Sequence, residues 1–193
     1  MRIAMYSTSK LFGTRITGGL KRFLELYYGL FERGYIVDLY SSDSKEVLKR
    51  NNINGYSLNN INDTNRVLIP AELRIMFKNI KVIKRIKKIK YDKIIVFDVP
   101  TAFSLSVMNV KNIQLFIRQD LIGYKYISMK DRIKNKFLLA QYLRVLSFIE
   151  RICLTKADKI IVQCEYDLNK LIARHNKLKN IILAKTRIQI NNV

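Results

Sequence analysis

MRIAMYSTSKLFGTRITGGLKRFLELYYGLFERGYIVDLY, residues 1–40, is the stretch that decides the fold class of this chain. Residues 2–7 are a short apolar-rich strand, followed by a polar loop. Gly18 then opens a helix whose apolar residues recur at helical spacing. Gly34 follows this helix as its left-handed stop, and residues 35–40 are a second strand. A strand, a crossover helix and a strand predict parallel pairing with a right-handed connection.

The same alternation continues to the C-terminus. Residues 94–97, Ile-Ile-Val-Phe, are a continuous apolar run typical of a strand buried on both faces. Further strands are predicted at 67–69, 113–117, 159–162, 181–183 and 187–190, helices at 71–89, 101–109, 130–157 and 166–174, and an exposed Asn-rich loop at 51–66. The sequence therefore predicts an α/β domain over residues 1–190. It is a Rossmann-like, doubly wound fold with a mainly parallel sheet of about six or seven strands and helices on both faces.

The charge of the chain is strongly unbalanced. Lys and Arg total 36 against 15 Asp and Glu, which leaves a net charge of +21. Such a surface attracts nucleic acid, anionic lipid headgroups or phosphorylated substrates. AT-rich coding would also enrich Lys together with Ile and Asn, so the composition alone does not select a partner.

The chain offers few residues for metal or nucleophilic chemistry. Its two cysteines, Cys153 and Cys164, have neither a disulfide framework nor metal-ligand spacing, and His175 is its one histidine. We expect His175 in an exposed turn without a partner, and Cys164 as a small, semi-buried residue. No metal or cofactor is expected, and a reduced, cytoplasmic protein without a membrane-spanning segment is the default expectation.

A glycine-containing loop precedes the first helix. Gly13, Gly18 and Gly19 lie where open α/β sheets bind ligands, and Lys21 and Arg22 follow at once. Free backbone N–H groups and the helix dipole favour an anion at such a place. The spacing is neither the dinucleotide fingerprint nor a Walker loop. The alternative is that these glycines only permit a tight turn.

The helix predicted at 71–89 has a pronounced charge pattern. Five cations fall in one stripe roughly 80° wide, and apolar residues lie opposite. The stripe consists of Arg74, Lys78, Lys81, Arg85 and Lys88, and the opposite side of Leu73, Met76, Ile80, Ile83 and Ile86. A solvated face, an anionic membrane surface and nucleic acid are the three interpretations. The aromatics Tyr27, Tyr28, Phe97 and Phe116 lie in predicted core elements rather than on a stacking platform, so nucleic acid is the least favoured.

Polar residues end the strand predicted at 113–117. Arg118, Gln119 and Asp120 follow it directly. A carboxylate beside an arginine at this place can orient a hydroxyl or transfer a proton. Equally, Arg118 and Asp120 can form an ordinary ion pair, or Asp120 can cap the next segment.

Three ordered segments resemble group 1 (family four) glycosyltransferases. The first combines Met1–Met5, Gly18–Arg22 and Leu30–Val37, with Tyr35 where the family has histidine. The second is Glu150–Val162, which is similar to the family's Glu-Arg…Ala-Asp segment, with Cys164 where a serine follows. The third, Asn191-Asn192-Val193, resembles the turn at the interdomain linker. The resemblance covers the whole chain, with residues 41–112 matched by element order only.

This resemblance implies one half of a GT-B fold. Residues 1–190 would be the N-terminal, acceptor-side domain and residues 191–193 the start of the linker to a C-terminal donor domain. The enzyme would move a sugar from a nucleotide-sugar to a lipid-linked or glycan acceptor with retention and without a metal. This chain without the donor domain is expected to be inactive.

The resemblance also implies roles for individual residues. Gly18, Gly19, Lys21 and Arg22 would approach the donor diphosphate, Arg118 and Gln119 would face the acceptor, and Asp120 would be catalytic. The family often has His-Asp where this chain has Gln119-Asp120, so no histidine role carries over. The cationic stripe would place the enzyme peripherally on the inner face of the membrane. The alternative function is a stand-alone basic module that binds nucleic acid or anionic lipid.

Overall fold

The residues that the structure describes form one sheet of seven parallel strands. A computed structural model describes residues 1–13, 17–59, 71–176 and 178–184. The strands are β1 Arg2–Tyr6, β2 Ile36–Ser41, β3 Gly55–Ser57, β4 Lys93–Phe97, β5 Ile113–Ile117, β6 Lys159–Val162 and β7 Ile181–Leu183. Their order is β3-β2-β1-β4-β5-β6-β7, and each neighbouring pair is parallel. The order reverses between β1 and β4, which is where ligands bind in folds of this type.

Helices cover both faces of the sheet. They are α1 Gly18–Glu32, α2 Lys45–Arg50, α3 Ala71–Ile89, α4 Val99–Val107, α5 Leu121–Met129, α6 Lys136–Lys156 and α7 Glu165–Arg174. Alternate strand residues enter two separate cores. Ile3 and Met5 belong to the core beneath α1 and α2, whereas Ala4 and Tyr6 belong to the core beneath α3 to α7. The predicted Rossmann-like α/β fold is thereby confirmed.

The first helix begins and ends as its sequence predicts. Thr17 caps it, and the Thr17 hydroxyl accepts a hydrogen bond from the Leu20 N–H at 3.4 Å. Gly34 has a φ of +79°, and its N–H donates to the Phe31 carbonyl at 2.9 Å. Glycine adopts the left-handed conformation at little cost because it has no Cβ, which explains why it occupies this position.

The segment predicted as an exposed loop at 51–66 contains a strand. Residues 55–57 form β3, and the ring of Tyr56 stacks on that of Tyr40 with centroids 4.7 Å apart. The short helix α2 before it was also not predicted. Asparagine-rich composition favours turns, but backbone pairing with β2 and the aromatic contact outweigh it here. The strands predicted at 67–69 and 187–190, and the linker at 191–193, lie outside the described residues.

The helix predicted at 130–157 begins later and is preceded by another helix. Asn135 caps α6, because its side-chain oxygen accepts from the N–H groups of Phe137 and Leu138 at 2.9 and 3.2 Å. Residues 121–129 form the separate helix α5, for which no prediction was made. The α5–α6 pair connects β5 to β6 and shapes the edge where polar residues gather.

Candidate functional site at the carboxyl edge of the sheet

The carboxyl ends of β4, β5 and β6 place a row of polar side chains at one edge of the sheet. Asp98 follows β4, Arg118 follows β5 and Gln163 follows β6. The amino end of α1 reaches the same edge, because the Arg22 Nη1 donates to the Gln163 Oε1 at 3.1 Å. This is the edge at which open α/β sheets bind ligands.

Arg118 is fixed by Asp98. The Arg118 Nε lies 3.2 and 3.1 Å from the two carboxylate oxygens of Asp98, and Nη2 also donates to Oδ2. The guanidinium carbon lies 5.7 Å from the ring centroid of Phe97. Such two-point pairs orient the guanidinium plane as well as holding its charge. Arg118 is therefore paired with Asp98, and the suggested ion pair between Arg118 and Asp120 was wrong.

Asp98 has an uncommon backbone conformation. Its φ is 71° and its ψ is 148°, and it directly precedes α4. A residue other than glycine is strained there, at a cost of order 1–3 kcal/mol. Strained residues of this kind cluster at functional sites. Here the conformation accompanies the contact between the Asp98 carboxylate and Arg118.

Arg118 also lies directly against the first turn of α1. A Cβ added to Gly19 would overlap the Nη1 of Arg118, whereas one added to Gly18 would meet nothing within 4 Å. A side chain at Gly19 would therefore force the guanidinium of Arg118 to move. The structure brings Gly19 and Arg118 together, two residues that the sequence singled out in two separate segments.

The surroundings of this contact favour an anion. The first turn of α1 contains no acidic residue, and Lys21 and Arg22 are both exposed. The unpaired N–H groups and the dipole of a helix amino end attract negative charge. A guanidinium that is already oriented adds a forked donor to the same place. The arrangement can hold a phosphate or diphosphate group.

Asp120 has a different partner. It occupies the N-cap position of α5, but its side chain makes no capping hydrogen bond. Its Oδ1 lies 2.7 Å from the Nη2 of Arg174, and its side chain is only 14% exposed. The suggested capping role is therefore not observed. The carboxylate instead connects the start of α5 to the end of α7.

A buried carboxylate continues this connection. Glu150 is 1% exposed and contacts Arg174 through Nε at 3.1 Å and Nη2 at 3.3 Å. Burial acts to lower the pKa of Arg174, but the carboxylates of Glu150 and Asp120 outweigh it and raise that pKa. Arg174 thus stays charged between two acids. The sequence marked Glu150 within its motif but gave no signal for a partner on another helix.

His175 joins the same cluster. Its Nε2 lies 2.9 Å from the Glu150 Oε2, and its side chain is 8% exposed. The prediction of an exposed turn without a partner was wrong, because residues distant in sequence bury the ring. The prediction for Cys164 was wrong in the opposite direction, because this residue is more exposed than predicted. It is exposed rather than semi-buried, and it caps α7.

A small pocket opens beside Asp98. Its volume is about 180 Å³. It is lined by Asp98, Val99, Pro100, Ile117, Gln119, Leu121, Tyr124 and Lys125. Gln119 is therefore at a cavity, as a substrate-facing residue would be. Tyr124 and Lys125 were missed because α5 was not predicted.

The cationic stripe of α3 is formed in part as predicted. Lys78, Lys81, Arg85 and Lys88 are exposed, and the guanidinium of Arg85 also stacks over the Tyr56 ring at 4.3 Å. Arg74 is half-buried. Ile80, expected on the buried side, is 36% exposed. Tyr28, expected in the core, is also exposed because it lies on the outer side of α1.

The described part of the chain holds neither a metal-binding cluster nor a membrane-spanning helix. Within residues 1–13, 17–59, 71–176 and 178–184, no cluster of three or more His, Cys, Asp or Glu is arranged to hold a metal ion. None of the helices in the same ranges has the length and apolar character needed to cross a bilayer.

The fold is similar to that of solved glycosyltransferase structures. No protein-family model matches the sequence, and no curated protein matches it either. Sucrose-phosphate synthase from Thermosynechococcus elongatus superposes with a TM-score of 0.65 at 16% identity, over 95% of this chain and 47% of that one. MurG from Acinetobacter baumannii (TM-score 0.49, 13% identity, 96% of this chain and 44% of that one) and a glycosyltransferase from Rickettsia africae (TM-score 0.49, 12%, 95% and 42%) also match. The chain spans about half the length of these proteins, and the first likeness shows that it shares the fold of one part of the synthase.

Proposed function

We propose that this chain is the acceptor-side half of a retaining GT-B glycosyltransferase of the group 1 type. The whole enzyme would move a sugar from a nucleotide-sugar to a lipid-linked or glycan acceptor. The fold shared with part of sucrose-phosphate synthase supports the class. The ordered segments at 1–37 and 150–162 support the group.

One observation supports this function above the others, namely the contact between Arg118 and Gly19 at the amino end of α1. Asp98 holds Nε and Nη2 of Arg118, so that Nη1 is turned toward the first turn of the helix. A diphosphate placed there would receive the N–H groups of the helix and the guanidinium together. The geometry favours assigning Arg118 to the donor phosphates rather than to the acceptor.

The leaving group of the reaction would be stabilised at this place. When the sugar departs, negative charge develops on the nucleoside diphosphate. Fixed donors that need no reorganisation stabilise such charge most effectively. Arg118 is fixed by Asp98, and the exposed Lys21 and Arg22 add charge nearby.

The pocket beside Asp98 would receive part of the acceptor. Gln119 offers an amide and Tyr124 and Lys125 offer a hydroxyl and an ammonium around its mouth. Asp120 lies next to this pocket in sequence, but it is mostly buried and paired with Arg174. A carboxylate that is held by a guanidinium and mostly buried is not free to reach a substrate hydroxyl. We therefore assign Asp120 to positioning the Gln119 segment.

The phosphate assignment is tested by binding. Nucleoside-diphosphate sugars and inorganic pyrophosphate are titrated into the chain by calorimetry. We expect binding that Arg118→Gln weakens at least about tenfold, as loss of a charge-assisted pair implies. Arg144→Gln, which removes an exposed arginine on α6, is the matched control and should change nothing. Equal affinities for the two variants would contradict the assignment.

The transfer reaction needs a second measurement. The chain is supplied with a second α/β domain that binds the nucleotide-sugar, either fused after Val193 or as a separate polypeptide, and release of the nucleoside diphosphate is followed. We expect transfer only from the combination, and Arg118→Gln should abolish it. Transfer by the chain alone would contradict the division of roles between two domains.

A further inference from the structure

The carboxyl end of β2 holds the segment that follows β1. The Ser42 N–H donates to the Ser9 carbonyl at 3.1 Å, and the Ser42 hydroxyl donates to the Thr8 carbonyl at 2.8 Å. These bonds continue past the ends of both strands, where backbone groups would otherwise lose their partners in the sheet. The segment 8–12 therefore leaves β1 along a path that residues 41–43 define.

Asp43 fixes the far end of this segment. Its Oδ2 accepts from the Leu11 N–H at 2.8 Å, and its Oδ1 accepts from the Phe12 N–H at 3.1 Å. The Ser41 hydroxyl also donates to Oδ2 at 2.8 Å, and Asp43 is only 3% exposed. Hydrogen bonds from backbone N–H groups to a carboxylate are among the stronger ones in proteins. One buried side chain thus holds two successive amides on the way from β1 to α1.

The residues that Asp43 holds pack with the beginning of α1. Leu11 is fully buried in the same core as Phe23 of α1. Phe12 and Leu20, the latter in the first turn of α1, both pack against that core. Protein interiors are close-packed, so a displaced buried side chain moves its neighbours. The position of the Leu11 and Phe12 backbone therefore affects the first turn of α1.

The same segment contacts the element that supports Arg118. The Thr8 hydroxyl lies 3.2 Å from the hydroxyl of Thr101, which belongs to the beginning of α4. Asp98, the residue directly before α4, holds the guanidinium of Arg118. The segment 8–12 thus connects to both sides of the contact between Gly19 and Arg118, through α1 and through α4.

We propose that Asp43 is a positioning residue of the candidate site. By holding the Leu11 and Phe12 amides, it sets the place of the first turn of α1 against the guanidinium of Arg118. The effect of Asp43 on anion binding rests on the proposed function, whereas its effect on α1 does not. The simpler alternative is that Asp43 only joins β1 to β2 and stabilises the fold as any buried hydrogen-bonded group does.

Asp38 provides a matched control on the same strand. It is 0% exposed, accepts from the Tyr91 hydroxyl at 2.6 Å and pairs with Arg2. These partners lie at the amino ends of β1 and β4, away from the carboxyl edge. Asp38→Asn therefore disturbs a buried carboxylate without touching the segment 8–12. Ser41→Ala, which removes one donor to Asp43, is the milder variant if Asp43→Asn does not fold.

Amide hydrogen exchange tests the positioning without a ligand. The Lys21 N–H donates to the Thr17 carbonyl at 3.0 Å, so its exchange reports on the first turn of α1. In Asp43→Asn this amide should exchange at least about tenfold faster relative to the amide of Leu146, which lies in the core on the other face of the sheet. Asp38→Asn should leave that ratio within about twofold of the native value.

Pyrophosphate titration tests the consequence for the site. Asparagine keeps one acceptor and presents an N–H group to the second amide, so one hydrogen bond to a charged group is lost. We expect Asp43→Asn to weaken pyrophosphate binding about tenfold, as such a loss implies. Asp38→Asn should leave the affinity within about twofold of the native chain, even where it lowers the midpoint of thermal unfolding as much.

The outcomes separate this proposal from the proposed function. Faster exchange at Leu11 and Phe12 with an unchanged rate at Lys21 would overturn the proposal, because Asp43 would then serve only the connection of β1 to β2. Equal changes in Asp43→Asn and Asp38→Asn, or an unchanged pyrophosphate affinity in Asp43→Asn, would overturn it too. Selectively faster exchange at Lys21 in a chain that binds no pyrophosphate would support the positioning and contradict the phosphate assignment.

Discussion

Gly19 is the residue on which the candidate site depends most directly. The first turn of α1 could hold many residues, as Gly18 shows, because a Cβ at Gly18 would meet nothing. At Gly19 the space is filled by the guanidinium of Arg118. The conformation of Gly19 is ordinary helix, so its requirement is for space and not for an unusual φ. Any larger residue at Gly19 would displace the Arg118 guanidinium from its present position.

Gly19→Ala should therefore disturb the contact between Arg118 and α1, whereas Gly18→Ala should leave that contact intact. We expect Gly19→Ala to displace Arg118 from Asp98 and to lower the free energy of unfolding by about 1–3 kcal/mol. Gly18→Ala should leave stability unchanged or raise it by up to about 1 kcal/mol. Urea denaturation of both variants, with pyrophosphate titration, measures the difference. Indistinguishable variants would show that Arg118 does not need its place against α1.

A buried group of tyrosines surrounds a carboxylate. Asp38 is 0% exposed and accepts from the Tyr91 hydroxyl at 2.6 Å, while the Tyr91 and Tyr40 hydroxyls are 2.8 Å apart. Burial raises the pKa of Tyr6 and of Tyr40 to about 12. Burial, and next the hydrogen bond to Asp38, raise the pKa of Tyr91 as well. Because their pKa values are raised, these hydroxyls stay protonated in the folded protein up to a higher pH than in the unfolded chain.

The protein should accordingly unfold in alkali. A tyrosine whose pKa is raised on folding contributes stability that is complete below its unfolded pKa of about 10 and is lost as pH rises toward its folded pKa. We expect the free energy of unfolding to fall between pH 10 and about 12 by up to about 2–3 kcal/mol per tyrosine. Denaturation at a series of pH values measures the slope. Tyr40→Phe should flatten it and Tyr124→Phe, on the exposed side of α5, should not; a slope unchanged in Tyr40→Phe would disprove the cause.

At the scale of the elements, periodicity predicted the strands and the long helices well. The segments 113–117 and 159–162 are β5 and β6 as predicted, because short runs rich in Ile, Leu, Val and Phe are typical of strands in a buried sheet. Helix α5 was missed because its register is not amphipathic; Tyr124 and Ile127 are exposed. The parts of the site were predictable, since Gly18-Gly19 and Arg118 each follow a strand. The contact between Gly19 and Arg118 was not predictable, because it depends on the amino end of α1 lying beside the carboxyl end of β5.

Helix α7 offers a test of capping. Cys164 occupies its N-cap, and the Sγ accepts from the Asp167 N–H at 3.5 Å. The thiol also lies 2.9 Å from the Asp167 carboxylate, a hydrogen bond that raises the pKa of Cys164. Sulfur is a weak acceptor compared with a hydroxyl oxygen. Cys164→Ser should therefore stabilise the protein by about 0.5–1 kcal/mol, and Cys164→Ala should not. Chemical denaturation compares the two, and a serine variant no more stable than the alanine variant would exclude a capping role.

At the scale of the whole molecule, burial of the core has to offset the repulsion within a strongly basic surface. Net charge of +21 on one chain creates self-repulsion that opposes the compact state. Exposed cations are concentrated at the candidate site, with Lys21 and Arg22, and along α3, with Lys78, Lys81 and Lys88. Anions should thus stabilise the protein in two ways, by general screening and by occupying the place beside Arg118.

These two effects can be separated. Screening acts through ionic strength, because the Debye length shortens from about 30 Å at 0.01 M to about 10 Å at 0.1 M. Any salt should therefore raise the midpoint of thermal unfolding. Occupation of the site depends on the anion, and a bound ligand raises stability by mass action. Pyrophosphate should consequently raise the midpoint more than chloride at equal ionic strength.

Arg118→Gln decides whether that difference comes from the site. Multivalent anions also stabilise proteins by exclusion from their surfaces, an effect that one substitution at the carboxyl edge leaves unchanged. We expect the variant to keep the rise in chloride and to lose most of the additional rise in pyrophosphate, whereas Arg144→Gln keeps both. If Arg118→Gln retained the full additional rise, the anion would be acting elsewhere on this basic surface, and the amino end of α1 would be only a tight turn.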